Sequence, residues 1–374
     1  MPKEVIVLGG GVYGANIAKG LFDAATAAGK TLDLHVTLVT SRDDFLFPPV
    51  NIRNSVDDVA SWYIRPYDKI FASKPSAGKV VKGTAVAIDK TAKTVRLETG
   101  ASLRYDFLVI ATGQIWSAPN NPPNDHDAVL RYFADLRAKI SAAKSVVVIG
   151  GGSVGTELAA EIKDHYGDAK RVTLVHSERL PLTDAYVDKF RNKVRALGEE
   201  LGVEFIFDAR GEDRGDGTVL VTPNGGKAQQ EVLAADAVFV CLSPAPNAAF
   251  APPEWRDAAG RVRVRDTLQV HGDDAVFAAG DVNSVPETKQ AAKAAKAVAT
   301  VIANVTALAA GDTNARLRTY GPGMEAIALS LGTKKAIGVV PLPFFGPTLL
   351  PGFVVRKIKG PDLFSSKAIQ AVGY

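Results

Sequence analysis

Two stretches of the chain share one pattern of apolar and polar positions. Residues 4–18 read EVIVLGGGVYGANIA and residues 145–162 read SVVVIGGGSVGTELAAEI, each an apolar run, a glycine-rich turn and apolar positions at helical spacing. Each is followed by a second apolar run, HVTLVTSRD at 35–43 and RVTLVHSER at 171–179. Strand, glycine turn, helix and strand in this order begin a doubly wound parallel sheet. The pattern predicts an α/β protein with two Rossmann-like dinucleotide-binding domains.

Two proline-rich stretches indicate how these domains are connected. WSAPNNPPNDH at 116–126 and SPAPNAAFAPPE at 243–254 each follow a buried-strand pattern. Their composition is typical of connections between domains, so we expect the second dinucleotide domain to be inserted into the first. The predicted domains are a first domain of residues 1–116 and 247–315, an inserted domain of residues 117–246, and a small C-terminal α+β domain of residues 316–374.

The glycine spacing fits a phosphate-binding turn. A dinucleotide pyrophosphate needs backbone N–H groups within hydrogen-bonding distance, and a Cβ at the middle glycine would block that approach. The last glycine lets helix and strand pack closely, while the helix start supplies partial positive charge. The candidate pyrophosphate-binding residues are Gly9, Gly11 and Gly14 in the first turn and Gly150, Gly152 and Gly155 in the second.

The strand that follows each helix ends without the acidic residue that usually binds a ribose. Thr40 and Arg42 stand there in the first repeat, and His176 and Glu178 in the second. The Thr40 hydroxyl can still bind a ribose hydroxyl, and Arg42 can lie against adenine or pyrophosphate. At the second repeat, His176 in place of a carboxylate removes repulsion against a 2′-phosphate, whereas Glu178 opposes NADPH. Both NADH and NADPH therefore remain open, and we expect both to serve.

A carboxylate near residue 280 distinguishes the first repeat from the second. Asp281 ends the strand pattern FAAGD, where it can accept hydrogen bonds from the ribityl hydroxyls of a flavin. A helix predicted over Thr288–Ala310 follows, and its first amides, near Lys289 and Gln290, are expected to face the flavin pyrimidine edge. The first repeat is therefore predicted to bind FAD and the inserted repeat NAD(P)H.

Two dinucleotides in one chain imply hydride transfer from the nicotinamide to the flavin. Glu157 follows Gly155 by two residues and is expected to point from the first helical turn toward the nicotinamide. A helix-start acid favoured by the helix dipole explains Glu157 almost as well.

Composition argues against several other classes of function. The chain has 374 residues and a net charge of +4 without a long Lys/Arg run, so no nucleic-acid partner is expected. Its single cysteine, Cys241, rules out an intrachain disulfide or a paired redox motif. The five histidines are scattered, so no metal site is predicted. We expect a monomer or homodimer in the cytoplasm.

One uncharged segment, Ala336–Val355, is long enough to cross a membrane. Its prolines would each remove a backbone donor and break a helix, so strands and turns are predicted there instead. We expect no transmembrane span, and a peripheral membrane contact stays open. The prolines are Pro341, Pro343, Pro347 and Pro351.

Taken together, the motifs resemble the two-dinucleotide flavoprotein oxidoreductases, and more narrowly their apoptosis-inducing-factor-like group. The similarity runs over nearly the whole chain, and its narrowest signals are YGPGMEAIALSLG at 320–332 and KIKGPDLFSSK at 357–367. The resemblance implies an FAD-dependent enzyme that oxidises NAD(P)H and reduces quinones or related small molecules. By position it implies flavin contacts at Gly9, Gly11, Gly14, Arg42, Ala85, Thr112, Gly113 and Asp281, a lysine near the flavin at Lys359, and a glutamate beside the nicotinamide at Glu157.

The chain departs from that group in two side chains. Thr40 replaces an acidic ribose ligand. The first domain has an ATG turn at Ala111–Gly113, and in the corresponding turn of the inserted domain, CLS at 241–243, Ser243 replaces the glycine. Lys359 is also explained as a solvated residue among other basic side chains. Two alternatives to quinone reduction stay open: a flavoprotein reductase of a protein acceptor or of O2, and a non-enzymatic redox sensor that responds to NAD(P)H.

Overall fold

The structure is a computed structural model that describes residues 2–27, 32–226, 229–311, 316–323 and 325–374. The first part of the chain forms β1 (Lys3–Leu8), α1 (Val12–Thr26), β2 (Leu34–Thr40), β3 (Asp44–Phe45), α2 (Pro48–Asn54), β4 (Arg65–Pro66), β5 (Gly78–Lys82), β6 (Ala85–Asp89), β7 (Thr94–Leu97), β8 (Ser102–Arg104), β9 (Phe107–Ile110) and β10 (Gln114–Ile115). The middle forms α3 (His126–Ala142), β11 (Ser145–Ile149), α4 (Ser153–Tyr166), β12 (Arg171–Val175), α5 (Asp188–Leu201), β13 (Val203–Ile206), β14 (Ala209–Asp213), β15 (Thr218–Pro223), β16 (Glu231–Ala234), β17 (Ala237–Val240) and β18 (Ala245–Pro246). The remainder forms β19 (Val276–Ala278), α6 (Ala294–Ala309), β20 (Ile327–Leu331), β21 (Lys335–Leu342), β22 (Gly346–Leu350), α7 (Gly352–Lys359) and α8 (Ser365–Ala368).

Two parallel sheets follow the same plan. The first has the strand order β19-β9-β1-β2-β5 and the second the order β13-β12-β11-β17. Their central strands are apolar and buried over Val5–Leu8 of β1 and Val146–Ile149 of β11, as expected for a parallel sheet covered on both faces. Each half also carries an antiparallel meander, β6-β7-β8 or β14-β15-β16. The predicted α/β architecture with two doubly wound sheets is confirmed.

The two chain crossings between the sheets lie side by side. β10 pairs antiparallel with β18, joining Gln114 to Pro246 and Ile115 to Ala245. The predicted boundaries at 116/117 and 246/247 fall beside this pair. The predicted boundary at 315/316 touches residues that lie outside the described ranges.

The C-terminal segment joins both halves. Its antiparallel sheet β20-β21-β22 packs on α4 and α5, and Leu329, Leu331 and Ile337 share one apolar core with Phe190 and Val194 of the inserted domain. The last turn, after α8, packs on α1 of the first domain. The uncharged segment Ala336–Val355 thus forms strands and a turn up to Leu350, as predicted, but from Gly352 it begins the helix α7, which was not predicted.

The alanine-rich helix begins later than expected. A 3-10 turn at Ala291–Lys293 precedes α6, so Thr288, Lys289 and Gln290 lie outside the helix. By length and composition Ala291–Ala309 would suffice to cross a membrane, a test that core helices of soluble proteins also pass. Here α6 packs on α1, with Val301 and Val305 among its buried residues.

Candidate functional site

The two glycine turns have nearly the same backbone geometry. Gly9 and Gly150, at the ends of β1 and β11, have φ angles of +102° and +106°, which favour glycine. A Cβ at Gly9 would lie 2.4 Å from the carbonyl oxygen of Ala111, and one at Gly150 would lie 2.4 Å from that of Cys241. The residue after β9 or β17 therefore leaves no room for a side chain in either turn.

The last glycine of each turn allows close packing of helix on strand. A Cβ at Gly14 would lie 1.8 Å from the carbonyl oxygen of Gly9, and one at Gly155 would lie 1.9 Å from that of Gly150. Because these neighbours are backbone atoms, any larger residue would force the helix away from its turn.

The middle glycines leave open space at the helix starts. A Cβ at Gly11 or Gly152 would meet no heavy atom within 4 Å. These residues are the N-caps of α1 and α4, and neither helix start has a side-chain cap or an acidic residue in its first turn. Uncapped N–H groups and the positive end of the helix dipole suit a phosphate group. Both turns therefore fit the pyrophosphate of a dinucleotide.

Thr40 and His176 lie beneath their glycine turns. The Thr40 side chain is buried, and its hydroxyl oxygen accepts the N–H of Arg42 at 3.2 Å. His176 accepts the N–H of Gly151 through Nδ1 at 3.1 Å, and its Nε2 is buried without a hydrogen-bond partner in the described parts of the chain. Burial lowers the pKa of His176, so the imidazole is neutral. Both side chains support the turn from below.

Arg42 and the ATG turn contact the two crossing segments. Arg42 Nη1 donates to the carbonyl oxygens of Pro122 and Pro123, each at 3.0 Å. The Thr112 hydroxyl donates to the carbonyl oxygen of Asn247 at 2.5 Å, and the Asn247 N–H donates to the carbonyl of Gly113 at 3.0 Å. Ala85 is the first residue of β6. Two residues before it, the Gly83 N–H donates a hydrogen bond to the carbonyl oxygen of Thr40. These predicted flavin contacts therefore surround the first turn, and three of them also hold a domain crossing in place.

Asp281 lies at the open edge of the first turn. It follows β19, and a Cβ at the preceding Gly280 would lie 2.8 Å from the ring of Tyr13 on α1. Burial, together with the charge of Glu287, raises the pKa of Asp281 to about 6. Among the described residues no group donates a hydrogen bond to this carboxylate. Its free acceptor oxygens therefore fit the hydroxyls of a flavin ribityl chain.

Lys289 and Gln290 have separate contacts. Lys289 Nζ donates to Asn283 Oδ1 at 2.9 Å and to the carbonyl of Val285 at 3.0 Å, which folds the lysine onto the loop after Asp281. Gln290 Nε2 donates a hydrogen bond to the hydroxyl of Tyr186 at 2.8 Å. The backbone carbonyl oxygen of Gln290 accepts a hydrogen bond from the Tyr13 hydroxyl at 3.0 Å. Gln290 therefore connects α1 with the inserted domain. The predicted helix start at Thr288 is wrong, because the helical turns begin at Ala291, directly after Gln290; the role of the first helix amides stays a prediction.

Glu157 and Lys359 meet although they are far apart in sequence. Lys359 Nζ lies 3.3 Å from Glu157 Oε1, and the same oxygen accepts the N–H of Ser330 at 3.2 Å. The Lys359 and Glu157 side chains are 11% and 17% exposed, so the pair is sheltered from most of the solvent. Glu157 is the fifth residue of α4, beyond its first turn, which corrects the predicted position and weakens the helix-dipole explanation. The structure thus joins the two candidate catalytic side chains.

A row of acids on α4, which sequence reasoning missed, continues from Glu157. Glu161 accepts two hydrogen bonds from Arg53 on α2, from Nε at 2.6 Å and from Nη2 at 2.7 Å. Asp164 accepts the N–H and the hydroxyl of Thr333, each at 2.7 Å. The spacing of four and then three residues places all three carboxylates on one helix face, a signal that was available in the sequence. This face joins the first domain, the inserted domain and the C-terminal sheet.

A second group of charges, also missed, lies between α6 and the C-terminal segment. Lys293 Nζ lies 2.9 Å from Glu325 Oε1 and 3.5 Å from Glu287 Oε2. Glu325 also accepts the Thr288 hydroxyl, and Glu287 accepts the Tyr320 hydroxyl at 2.9 Å. The group fixes the segment between Asp281 and α6, and no short-range pattern identifies it.

The remaining reactive side chains give no further centre. Burial raises the pKa of the Cys241 thiol to about 12, so it is not a thiolate nucleophile. Within the described ranges, no group of three or more His, Cys, Asp or Glu side chains is placed to hold a metal ion.

Comparisons with known proteins agree with this geometry. The family model of pyridine nucleotide-disulphide oxidoreductases matches residues 52–297. The chain is 31% identical over 331 residues to FAD-dependent oxidoreductase FVFD30 of Flammulina velutipes, covering 87% of this chain and 98% of that protein. It is 31% identical over 384 residues to ferroptosis suppressor protein 1 of Xenopus tropicalis, covering 99% and 96%. A solved structure of the sulfide:quinone oxidoreductase from Aquifex aeolicus has a TM-score of 0.79 at 19% identity, covering 99% of this chain and 91% of that one.

Proposed function

Because this chain belongs to the pyridine nucleotide-disulphide oxidoreductase family and is an FAD-dependent NAD(P)H oxidoreductase, we propose that its electron acceptor is a quinone or a related small molecule. The observation that carries the proposal is the contact between Lys359 and Glu157. It places one cation and one carboxylate where the second dinucleotide turn meets the C-terminal helix α7. The similar solved structure described above is a sulfide:quinone oxidoreductase, which supports the same acceptor class.

Each glycine turn has a proposed nucleotide. The first turn holds FAD, because Asp281 supplies acceptor oxygens there for ribityl hydroxyls. The second turn holds NAD(P)H, and Glu157 on its helix orients the nicotinamide end. When bound, FAD accepts hydride from NAD(P)H and passes electrons to the acceptor.

The chain's own side chains position and stabilise charge rather than form covalent bonds. Lys359, sheltered and paired with Glu157, stabilises negative charge that develops on an acceptor oxygen. Gln290, through Tyr13 and Tyr186, keeps α1 and the inserted domain in register so that the two nucleotides can meet.

Disulfide reduction, to which the family owes part of its name, does not suit this chain. The sequence has one cysteine, and its pKa is raised to about 12. Neither a disulfide nor a reactive thiolate is therefore available for exchange.

The test is stepwise reduction of the purified, FAD-loaded protein. We expect a yellow protein whose flavin absorbance is bleached by NADH without oxygen and restored by a short-chain quinone with steady-state turnover. Bleaching without quinone turnover would reject the acceptor. Turnover with O2 alone would favour an oxidase, and a stable charge-transfer complex without turnover would favour a redox sensor.

A further inference from the structure

A cavity beside the second glycine turn has a single charged side chain in its wall. Its volume is about 460 Å³, which is within the range of small-molecule sites. The residues that line it, among those that the structure describes, are Ser177, Arg210, Thr222, Pro223, Asn224 and Gly225. They supply hydroxyls, an amide and a guanidinium, and none of them is acidic. Such a lining suits an anionic ligand.

Hydrogen bonds fix this cavity at the end of β12, next to the second turn. His176, the first residue after β12, accepts the N–H of Gly151 through Nδ1 and the N–H of Ala209 through its carbonyl oxygen, each at 3.1 Å. Ser177 comes next, and its carbonyl oxygen accepts Asn224 Nδ2 at 2.6 Å. The cavity therefore begins one residue beyond the side chain that supports the turn.

The end of β12 is where the adenosine ribose of a bound dinucleotide is read. In a doubly wound domain, residues at the end of the second strand contact the 2′ position of that ribose. NADH has a hydroxyl at this position, whereas NADPH has a phosphate monoester with a charge of about −1.5 to −2 at neutral pH. A free cation beside the end of β12 would thus distinguish the two nucleotides.

Arg210 is available for this role, whereas two neighbouring arginines are already paired. Arg179 forms an ion pair with Asp188. The side chain of Arg191 is 3% exposed and pairs with Glu178 at 3.0 Å. Arg210 is exposed on β14, and within the described ranges its guanidinium has no ion-pair or hydrogen-bond partner. The unpaired cation near the end of β12 is therefore the one in the cavity wall.

The alternation of side chains along β14 keeps Arg210 on the outer face of its meander. Ala209 is buried in the core beneath β14, and a Cβ at Gly211 would lie 3.1 Å from the side chain of Ile149. Both neighbours of Arg210 thus face the parallel sheet, and Arg210 faces the other way. Its register partner on β15 is Thr222, which also lines the cavity.

We propose that this cavity holds the 2′ side of the adenosine ribose and that Arg210 binds the 2′-phosphate of NADPH, which makes Arg210 a determinant of nucleotide choice. The planar guanidinium offers paired N–H donors that match a phosphate. In the described part of the chain the Ser177 hydroxyl has no hydrogen-bond partner, and it binds the 2′-hydroxyl of NADH at the same place. The inference rests on the proposed assignment of NAD(P)H to the second turn, and it does not depend on the electron acceptor.

Calorimetric titration of the FAD-loaded full chain with 2′,5′-ADP and with 5′-AMP tests the assignment. These ligands differ only in the 2′-phosphate, and neither carries electrons. We expect the wild type to bind 2′,5′-ADP about tenfold more tightly, and high salt to reduce this difference. Arg210→Gln should weaken binding of 2′,5′-ADP about tenfold and change binding of 5′-AMP by less than about twofold. Arg210→Lys keeps the charge without the planar fork and should give an intermediate affinity.

Two further variants are the controls. Arg214→Gln changes an exposed arginine just beyond the far end of β14, outside the cavity wall, and should bind both ligands as the wild type does. Gly155→Ala places a Cβ 1.9 Å from the carbonyl oxygen of Gly150 and should abolish binding of both ligands, because the second turn is distorted.

The titration separates this inference from the quinone proposal, since no acceptor is present. Failure of quinone turnover would leave the binding result standing. Equal affinity of the wild type for the two ligands, or an equal loss of both in Arg210→Gln, would overturn the role of Arg210. Binding of 2′,5′-ADP that survives Gly155→Ala would place this ligand at another site and would also overturn it. If neither ligand binds the wild type, the nucleotide assignment of the second turn is rejected, and this inference with it.

Discussion

The two glycine turns have the same backbone and different surroundings. In both, the first glycine has a φ near +100° and the last glycine touches the first. Around the first turn the nearby acid is Asp281, which is partly buried and has a raised pKa. Around the second turn the nearby acids are already neutralised, Glu178 by Arg191 at 3.0 Å and Glu157 by Lys359 at 3.3 Å.

This difference has a topological cause. The first sheet has a strand, β19, with no counterpart in the second. It is supplied by the chain that returns after the inserted domain, and it pairs with β9 so that Asp281 reaches the start of α1. The two phosphate-binding turns therefore have different surroundings, because only the first sheet has the additional strand β19.

The largest expected effect comes from the last glycines. Gly14→Ala places a Cβ within 1.8 Å of a carbonyl oxygen and should leave the purified protein with less than about a tenth of its FAD. Gly155→Ala makes the equivalent clash at 1.9 Å and should keep the flavin while lowering kcat/KM for NADH by about 100-fold or more. Flavin absorbance and stopped-flow reduction measure the two losses.

The control for these variants is Gly321→Ala, since a Cβ there would meet no atom within 4 Å. It should change neither flavin content nor reduction by more than about twofold. Equal loss of flavin in both turn variants would show that the turns do not bind separate nucleotides.

The next largest effect concerns the buried ion pair between Arg53 of the first domain and Glu161 of the inserted domain. Arg53 and Glu161 are 8% and 5% exposed, so Arg53→Ala leaves a buried carboxylate without its partner. We expect the free energy of unfolding to fall by about 3 kcal/mol. Arg195→Ala breaks an exposed pair with Glu199 and should cost about 0.5 kcal/mol or less. Urea denaturation of the FAD-loaded protein measures both, and equal costs would mean that the buried pair does not hold the halves together.

Lys359→Ala tests the step that follows flavin reduction. Loss of the cation should lower kcat with a short-chain quinone about 30-fold, because developing negative charge loses its stabilising partner. Bleaching of the flavin by NADH should change much less. The neighbouring exposed Lys357→Ala is the matched control and should leave soluble turnover unchanged. An equal effect on both half-reactions would place Lys359 at the nicotinamide instead.

The sequence was sufficient for features that depend on local order. The glycine turns, the central strands and the proline-rich crossings follow from spacing over a few residues, and all appear where expected. The contacts of Arg53 with Glu161, 108 positions apart, and of Gln290 with Tyr186, 104 positions apart, do not. Such contacts arise when domains pack, and a single sequence contains no local signal for them. The exposure of Phe344, in the turn between β21 and β22, was missed for a related reason, because an apolar run predicts burial on average and does not show which turn projects into solvent.

The two turns should also differ in pH dependence. When ionised, Asp281 accepts hydrogen bonds strongly through both oxygens, whereas protonation makes one oxygen a donor and weakens the other as an acceptor; its pKa is raised from 3.8 to about 6. The Kd for FAD should therefore rise as pH falls below about 6, by about tenfold per pH unit. Burial lowers the pKa of His176, and its Nδ1 accepts the N–H of Gly151, so we expect a neutral imidazole at neutral pH and a Kd for NAD(P)H that changes little there. Flavin fluorescence quenching at about pH 5 and about pH 8 measures the first and nucleotide titration the second.

Without FAD, the free energy of unfolding should rise as pH falls, whereas the affinity for FAD falls with pH. A raised pKa in the folded state gives stability that is present below the ordinary pKa of 3.8 and is lost as pH rises through about 6. Asp281→Asn should remove this slope and give weaker FAD binding that is independent of pH. A pH transition for FAD that persists in this variant would assign it to another group.

The smallest expected effect concerns the choice between NADH and NADPH at the second turn. Glu178 pairs with Arg191, whose side chain is buried and also binds the carbonyl oxygens of Leu180 and Leu182. Its charge is thus largely balanced, and a cavity of about 460 Å³ lined in part by Ser177 and Arg210 lies close by. We expect the wild type to use both nucleotides within about a hundredfold in kcat/KM. Glu178→Gln should raise the NADPH to NADH ratio about threefold or less, with the exposed Glu212→Gln as control. A rise of about 30-fold would mean that Glu178 faces a 2′-phosphate with its full charge, and that the second turn, like the first, is governed by one unbalanced carboxylate.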